Sequence, residues 1–133
     1  MSDRIDIVGI DHVQLLMPTG GERDARRFYG EVLGLREVAK PAEHTTRGGC
    51  WFVGIGGTAI HLRVEQRFIA AQKAHPALIV VDLDAARRAL VASDARVIED
   101  ESGMHLRRCY TVDPFGNRIE LIEAADAGFS DRV

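Results

Sequence analysis

Apolar residues recur along this chain at two spacings, and the shorter spacing predicts a succession of short strands. Residues 9–17 alternate, with Leu15 and Met17 on one face and His12 and Gln14 on the other. Apolar runs bounded by glycine, proline or polar residues predict further strands over residues 35–39, 50–55, 58–64, 74–81, 97–99, 106–112 and 118–122.

Two segments instead carry apolar residues three or four positions apart, which is the spacing of an amphipathic helix. The first covers residues 22–33, includes Phe28 on its apolar face and is followed by Gly34, a typical C-terminal cap. The second covers residues 83–93 and includes Leu90 on its apolar face. Each half of the chain therefore reads as a strand, a helix and three more strands, or βαβββ.

The remaining segments connect or follow these elements. Residues 42–49 are polar and predict a flexible loop near any pocket, whereas residues 66–73 connect the halves and have room for one or two helical turns. Residues 101–105 predict another loop. The predicted organisation is a single domain over residues 1–133, with module 1 over about 8–65, the connector, module 2 over about 74–123 and a loosely ordered tail over 124–133.

The second half of the chain nearly repeats the first. An offset of 59 residues matches Cys50 with Cys109, Trp51 with Tyr110, Gly57 with Gly116 and His61 with Glu120, and an offset of 63 matches His12 with His75. The collinear order of these matches favours duplication of one unit over chance, and differing loop lengths explain the drift in offset. Two such units would pack with pseudo-twofold symmetry.

Composition narrows the classes of function. The chain has 133 residues, of which 46% are hydrophobic and 28% charged, as expected for one soluble globular domain. The chain has a net charge of −3 and thus no excess of positive charge, so we expect no nucleic-acid partner. No apolar run approaches the ~20 residues that cross a bilayer, and residues 1–7 lack a signal-peptide core, so we expect no membrane partner.

The two cysteines predict a reducing, cytoplasmic environment, because they are too few for a disulfide framework and lack a CxxC spacing. Cys50 and Cys109 are better explained as small buried hydrophobic residues than as nucleophiles.

Glu120 lies within a predicted strand, on a face that it shares with the apolar Ile122. A carboxylate there is costly unless it is paired, hydrogen-bonded or bound to a cation. Four residues that can bind metal occupy equivalent places in the two halves, on the first and last strands: His12, His61, His75 and Glu120. Pseudo-twofold packing would let them converge, either within one chain or between two.

This set of ligands provides nitrogen and oxygen atoms without thiolate. Such a set suits one divalent ion of Zn, Ni, Co, Mn or Fe. Because positions would stay open for water or substrate, the arrangement indicates a catalytic site rather than a structural one.

Three stretches resemble the vicinal oxygen chelate superfamily, which includes glyoxalase I, bleomycin-resistance proteins, fosfomycin-resistance enzymes and extradiol dioxygenases. They are Asp11-His12-Val13, Arg27-Phe28-Tyr29 with Leu33-Gly34-Leu35, and Asp113-Pro114-Phe115-Gly116-Asn117-Arg118-Ile119-Glu120. The resemblance covers residues 9–123 and implies an α+β fold, in which paired βαβββ modules form a cupped mixed sheet with helices outside. It also implies a divalent metal at His12, His61, His75 and Glu120.

One position departs from the glyoxalase I pattern. That enzyme typically has a glutamate, active in proton transfer, where this chain has His61. Fosfomycin-resistance enzymes and extradiol dioxygenases use a trio that His12, His75 and Glu120 would supply, leaving His61 as an extra ligand or a base. The resemblance thus implies a glyoxalase-like member of the superfamily and puts glyoxalase I activity itself in question.

Two hypotheses of function stay open. The first is a metal-dependent enzyme whose small oxygenated substrate chelates the metal, with His61 or Glu120 moving a proton. Lyase or isomerase chemistry is then the leading reaction class, followed by thiol transfer to an epoxide and by dioxygen-dependent ring cleavage. The second is a metal-free ligand-binding protein similar to bleomycin-resistance proteins, against which an aromatic content of only 6% argues mildly.

Four further residues are candidates for substrate contacts: Gln14, Trp51, Tyr110 and Arg118. Gln14 would contact either substrate or solvent. Trp51 and Tyr110 would either line the cup or pack in the core. If Glu120 is not a metal ligand, a salt bridge to Arg118 or Arg63 would explain it.

Other polar residues have simpler explanations. His44 and His105 lie in predicted loops, where they would be solvated or reach the cup from a lid. The arginine pairs at 26–27 and 87–88 are most simply solvated helix faces. We also expect a homodimer, because two modules alone leave sheet edges exposed.

Overall fold

The computed structural model describes residues 3–102 and 106–127 and contains two βαβββ modules. The strands of module 1 are β1 (Val13–Met17), β2 (Arg36–Val38), β3 (Cys50–Val53) and β4 (Ala59–Val64). Those of module 2 are β5 (Ala77–Val80), β6 (Ile98–Glu99), β7 (Arg108–Val112) and β8 (Arg118–Glu123). Each module forms its own four-stranded mixed sheet, in the orders β1-β4-β3-β2 and β5-β8-β7-β6. The predicted α+β fold is confirmed.

The register of the strands shows the same repeat that the sequence shows. β1 runs parallel to β4 with Gln14 opposite His61, and β5 runs parallel to β8 with Ala77 opposite Glu120. The antiparallel neighbours match as well, since Trp51 lies opposite His61 in one sheet and Tyr110 lies opposite Glu120 in the other. First and last strands are therefore adjacent in each module.

One helix packs on each sheet. In module 1, α1 (Glu22–Ala25) continues as a wider π-helix over Arg26–Val32, where the amide of Leu33 donates to the carbonyl of Phe28 over 2.9 Å. In module 2, α2 (Leu83–Ala92) begins at Asp82, whose side chain accepts a hydrogen bond from the amide of Ala85.

The core lies between each helix and its sheet. Helix residues and alternate strand residues fill it, and the hydrophobic ones exposed by 5% or less are Met17, Ala25, Phe28, Tyr29, Cys50, Phe52, Ile60, Leu62, Leu83, Leu90, Cys109, Ile119 and Leu121. The opposite strand faces carry the candidate site residues.

A buried hydrogen-bond network joins the modules at the turn between β7 and β8. The Asp113 carboxylate accepts from the Tyr29 hydroxyl over 2.6 Å, from the Phe115 amide over 2.9 Å, and from the Asn117 amide and side chain over 2.8 Å each. The Asn117 side chain also donates to the carbonyl of Leu16 over 2.8 Å. The Asp-Pro-x-Gly-Asn stretch is therefore a structural tie between modules as well as a turn.

Several predicted boundaries differ from the structure. The strands predicted over 9–17 and 74–81 begin later, at Val13 and Ala77, in the second case because Pro76 has no amide hydrogen for the ladder. The connector over 66–73 forms no helix; its Phe68 packs edge-on against Phe115, with ring centroids 6.5 Å apart.

Two segments predicted as loop or loose tail contain short helices. The predicted loop over 42–49 contains a 3₁₀ helix, Ala42–Arg47, and another 3₁₀ turn, Ile55–Gly57, joins β3 to β4. The tail forms a 3₁₀ turn over Ala124–Asp126. His105 and residues 128–133, for which a loop and a loose tail were predicted, lie outside the described residues. In the described part of the chain, no helix is long and apolar enough to cross a membrane.

Candidate metal and substrate site

Two of the predicted ligands lie together on the open face of the first sheet. The rings of His12, just before β1, and His61, on β4, stack with centroids 4.0 Å apart and planes 17° apart. Trp51 stacks on the other face of His61 at 3.9 Å, with the planes 3° apart. Burial chiefly, and the neighbouring His12 next, lower the pKa of His61, which favours its neutral ring.

Asp11 holds the His12 ring by one of its two nitrogens. Nδ1 of His12 lies 2.7 Å from the Asp11 carboxylate, and this bond lowers the pKa of that carboxyl group. Nε2 is then the nitrogen left for another partner. A carboxylate that binds the far nitrogen of a histidine is the usual support of a metal ligand.

The other two predicted ligands lie together on the face of the second sheet opposite its core residues. Nε2 of His75 is 3.1 Å from Oε1 of Glu120, whose side chain is only 10% exposed. Nδ1 of His75 lies 2.6 Å from the backbone oxygen of Lys73. Both histidines that precede a first strand thus have Nδ1 bound to an oxygen, which leaves Nε2 for another partner.

Glu120 has a cationic neighbour, but it is neither Arg118 nor Arg63. An Nη atom of Arg108 lies 3.7 Å from Oε2 of Glu120, and Arg108 also donates to Asp100 over 2.8 Å. Arg118 instead lies over the Tyr110 ring, 4.1 Å from its centroid, and its buried Nε has no hydrogen-bond partner among the described residues. Tyr110 meets His75 edge-on at 5.5 Å.

The structure thus brings the four predicted ligands together as two pairs. Within residues 3–102 and 106–127, no three histidine, cysteine, aspartate or glutamate side chains are close enough to hold a metal ion. Each pair lies on the outermost two strands of its sheet, because β1 and β5 are edge strands.

A cleft of about 350 Å³ opens beside His12 and His61. It is lined by Asp11, His12, Gln14, Lys40, His44, Arg47, Gly48, Trp51, His61, Leu62 and Arg63. Three predicted site residues besides Gln14 are among these, and the 42–49 segment lies at the cleft as expected. A second cavity of about 340 Å³, next to Phe28 and Asp113, contains none of the predicted site residues.

The cysteines and helix arginines have structural roles. Cys50 and Cys109 are free and buried, and burial raises the pKa of the Cys50 thiol to about 11 and that of Cys109 as well. Arg26 and Arg87 are more than solvated faces, because they occupy equivalent helix positions and donate over 2.9 Å to Glu37 and Glu99.

Comparison with known proteins assigns the family. A family model described as a glyoxalase-like domain matches residues 15–122, which cover most of both modules. The chain belongs to this family. No match was found among curated protein sequences.

Solved structures agree with this glyoxalase-like assignment. A glyoxalase-family protein from Bacillus anthracis is 46% identical, with a TM-score of 0.83 over 92% of this chain and 98% of that one. A glyoxalase/dioxygenase from Nostoc punctiforme is 21% identical, with a TM-score of 0.73 over 92% and 97%. TnmS3, an antibiotic-binding protein from Streptomyces sp. CB03234, is 24% identical, with a TM-score of 0.65 over 86% and 96%. The last two share the fold.

Sequence reasoning missed three features of the glyoxalase-like site. Asp11 adjoins His12 in the sequence, so its supporting role had a visible signal. Arg108 is two residues from Tyr110 and therefore on the same strand face. The Lys73 contact uses a backbone oxygen, for which no side-chain pattern exists.

Proposed function

We propose that this glyoxalase-like protein is a divalent-metal-dependent enzyme that acts on a small oxygenated substrate. The contact between His75 and Glu120 carries the proposal. Because Nδ1 of His75 faces a carbonyl oxygen, which only accepts, that nitrogen carries a hydrogen, and without a further proton Nε2 is an acceptor. Two acceptors 3.1 Å apart repel unless they share a cation, either a proton or a metal ion.

The first sheet offers a matching pair of nitrogen donors. His12 presents Nε2 because Asp11 occupies Nδ1. The lowered pKa of His61 favours the neutral ring, which metal binding requires. Three imidazoles and one carboxylate suit Zn, Ni, Co, Mn or Fe as the divalent ion.

We further propose that a homodimer completes the site. Each pair of ligands lies at the free edge of its sheet, beside β1 or β5. A twofold axis that sets β1 of one copy beside β5 of the other would bring His12 and His61 to the second copy's His75 and Glu120. The same contact occurs twice in a twofold dimer, so it gives two equivalent sites.

A divalent ion at these residues would supply a Lewis acid for two chelating substrate oxygens. The residues of the chain itself have separate roles. His61 or Glu120 would take a proton from the substrate and return it, which suits lyase or isomerase chemistry. Trp51 and Gln14 would contact the substrate on one side of the cup, and Tyr110 and Arg118 on the other.

Elemental analysis of protein purified without chelators or nickel affinity resin tests the proposal. We expect about one divalent ion per chain, with loss in both His12→Ala and Glu120→Ala, because each substitution removes a ligand. His44→Ala is a matched control, since His44 also lines the cleft but is not a proposed ligand. Protein that contains no metal and takes up none would overturn the proposal.

The identity of the ion would sort the reaction classes. Iron would direct assays to dioxygen-dependent ring cleavage. Zinc, nickel, cobalt or manganese would direct them to isomerase, lyase and thiol-transfer reactions.

The alternative is a metal-free protein that binds and sequesters a ligand. The Trp51 indole at the cleft and the shared fold of the antibiotic-binding TnmS3 favour it. Under this alternative, His12→Ala leaves ligand binding intact. We also propose a cytoplasmic location, which the two free cysteines support.

A further inference from the structure

The cleft beside His12 and His61 carries the opposite charge from the molecule as a whole. The chain has a net charge of −3, yet Lys40, Arg47 and Arg63 all line this cleft. Asp11, the one carboxylate among its lining residues, is already bound to His12 at 2.7 Å. The cleft therefore has uncompensated positive charge.

The two arginines of the cleft differ from those that stabilise the fold. Arg26, Arg87 and Arg107 each donate to a carboxylate, over 2.9, 2.9 and 2.7 Å. Arg47 and Arg63 form no ion pair with any residue in the described ranges 3–102 and 106–127. Their guanidinium groups are available to a ligand.

The backbone determines the positions of Arg47 and Arg63 at the cleft. Arg63 follows His61 by two residues on β4, so both side chains leave the same face about 7 Å apart. Arg47 ends the 3₁₀ helix Ala42–Arg47, whose His44 ring lies 6.1 Å from the ring of Trp51.

The chain after Arg47 is held tightly against β4. At Gly49 a Cβ atom would lie 2.1 Å from the carbonyl oxygen of Leu62, and φ is +86°, so glycine is required there. The Lys40 amino group donates to the carbonyl of Gly48. Arg47 is thus anchored at the cleft rim by its own backbone rather than carried on an untethered loop.

We propose that the substrate carries an oxyanion group, a carboxylate or a phosphonate, which Arg47 and Arg63 bind while its chelating oxygens face His12 and His61. The inference rests on the proposed function, because it takes this cleft as the substrate site. Arginine is suited to the role, since its planar group donates two parallel hydrogen bonds to such anions. Because the His61 and Arg63 side chains leave β4 about 7 Å apart, the anionic group of the substrate would lie a few bonds from its chelating oxygens.

Fluorescence of Trp51, the only tryptophan in the chain, reports binding in this cleft directly. The probes are benzoate, phenylphosphonate and benzamide, the last being a neutral counterpart of benzoate. We expect at least one anion to bind tenfold or more tightly than benzamide, with affinity falling as salt is added. Tighter binding of phenylphosphonate or of benzoate then assigns the anion class.

The matched variants are Arg47→Gln with Arg63→Gln in one protein, and Arg88→Gln, an exposed helix arginine, as control. We expect the double variant to lose the preference for the anion, at least tenfold, and the control to keep it. Benzamide binding as tightly as both anions, no binding of either anion, or an unchanged double variant would overturn the inference.

Metal content, measured on the same samples, separates the two proposals. Neither arginine is a proposed ligand, so metal uptake should be equal in all three proteins. Wild-type protein that takes up no metal but prefers the anion would overturn the metal-dependent function and leave the anion site standing. Normal metal uptake without a preference for the anion would overturn the anion site and leave the metal-dependent function standing.

Discussion

The Asp11 carboxylate and the Lys73 carbonyl each bind Nδ1 of one histidine, and the two histidines, His12 and His75, occupy equivalent positions. Each oxygen binds Nδ1, at 2.7 Å from His12 and 2.6 Å from His75, and each leaves Nε2 for another partner. A carboxylate is replaceable by mutation whereas a backbone oxygen is not. Asp11 is therefore the residue through which ring orientation can be tested.

We predict that Asp11→Asn weakens metal binding roughly 10- to 100-fold, because the ring loses its charged partner while every ligand remains. Titration of metal-free protein with the metal gives the affinity. Asp6→Asn is the control, since Asp6 is an exposed carboxylate that pairs with Arg4 at 2.9 Å. Equal affinity in both variants and the wild type would show that Asp11 has no supporting role.

His61 gives a prediction about pH. Burial first and His12 second lower its pKa from the ordinary 6.5, so the folded protein disfavours the charged ring. The unfolded chain then binds the proton more readily, and this site destabilises the fold as the pH falls below about 6.5. Above that value the contribution is constant.

We expect NMR titration of the His61 ring to give a midpoint below 6.5 in metal-free protein. Trp51→Ala should raise the midpoint more than His12→Ala, because burial is the larger cause and the indole covers one face of the ring. A midpoint at or above the ordinary value in the wild type would contradict the neutral ring on which the proposed ligand role depends.

At the scale of elements, the turn between β7 and β8 does more than reverse the chain. Its Asp113 carboxylate is 4% exposed overall and binds Tyr29 from the other module. Burial raises the pKa of Asp113, and the bonds from Tyr29 and Asn117 oppose that rise. The network therefore connects the π-helix Arg26–Val32 of one module to the final hairpin of the other.

We predict that Tyr29→Phe lowers the free energy of unfolding by about 2 kcal/mol, because the lost hydrogen bond goes to a buried carboxyl group. Denaturant unfolding measures it. Tyr110→Phe is the matched control, since the Tyr110 hydroxyl has no hydrogen bond to any described residue. Equal loss in both variants would show that the Asp113 contact contributes nothing specific.

The alternation of apolar and polar residues, and the repeat between the two halves of the chain, predicted most of the helices and strands. Both patterns indicate which face of each strand is buried. The repeat also matched Trp51 with Tyr110 and His61 with Glu120, and these residues occupy equivalent positions in the two sheets, since Trp51 pairs with His61 and Tyr110 pairs with Glu120. The π-helical turns over Arg26–Val32 were not predictable, since a change from four-residue to five-residue hydrogen bonds leaves no clear mark on the apolar pattern. The tie from Tyr29 to Asp113 joins residues far apart in sequence.

At the scale of the whole molecule, the sequence predicted four ligands on the first and last strands that could converge, but not that they would form two separate pairs. His12 with His61 and His75 with Glu120 are set by strand pairing inside one module. How the two sheets meet depends on packing between modules and between chains, which periodicity does not encode. The cationic cleft was missed for the same reason, because Arg47 lies in the 3₁₀ helix Ala42–Arg47, whose position beside β4 the apolar pattern does not encode.

Subunit complementation tests most directly whether the metal site is shared between two copies. His12→Ala and Glu120→Ala homodimers are mixed in equal amounts, allowed to exchange subunits and analysed for metal. If sites are shared, each hybrid dimer has one intact site and one doubly defective site, so about one quarter of the wild-type metal content returns. Recovery of no metal, while the wild type binds it, would contradict the shared site and place all four ligands within one chain.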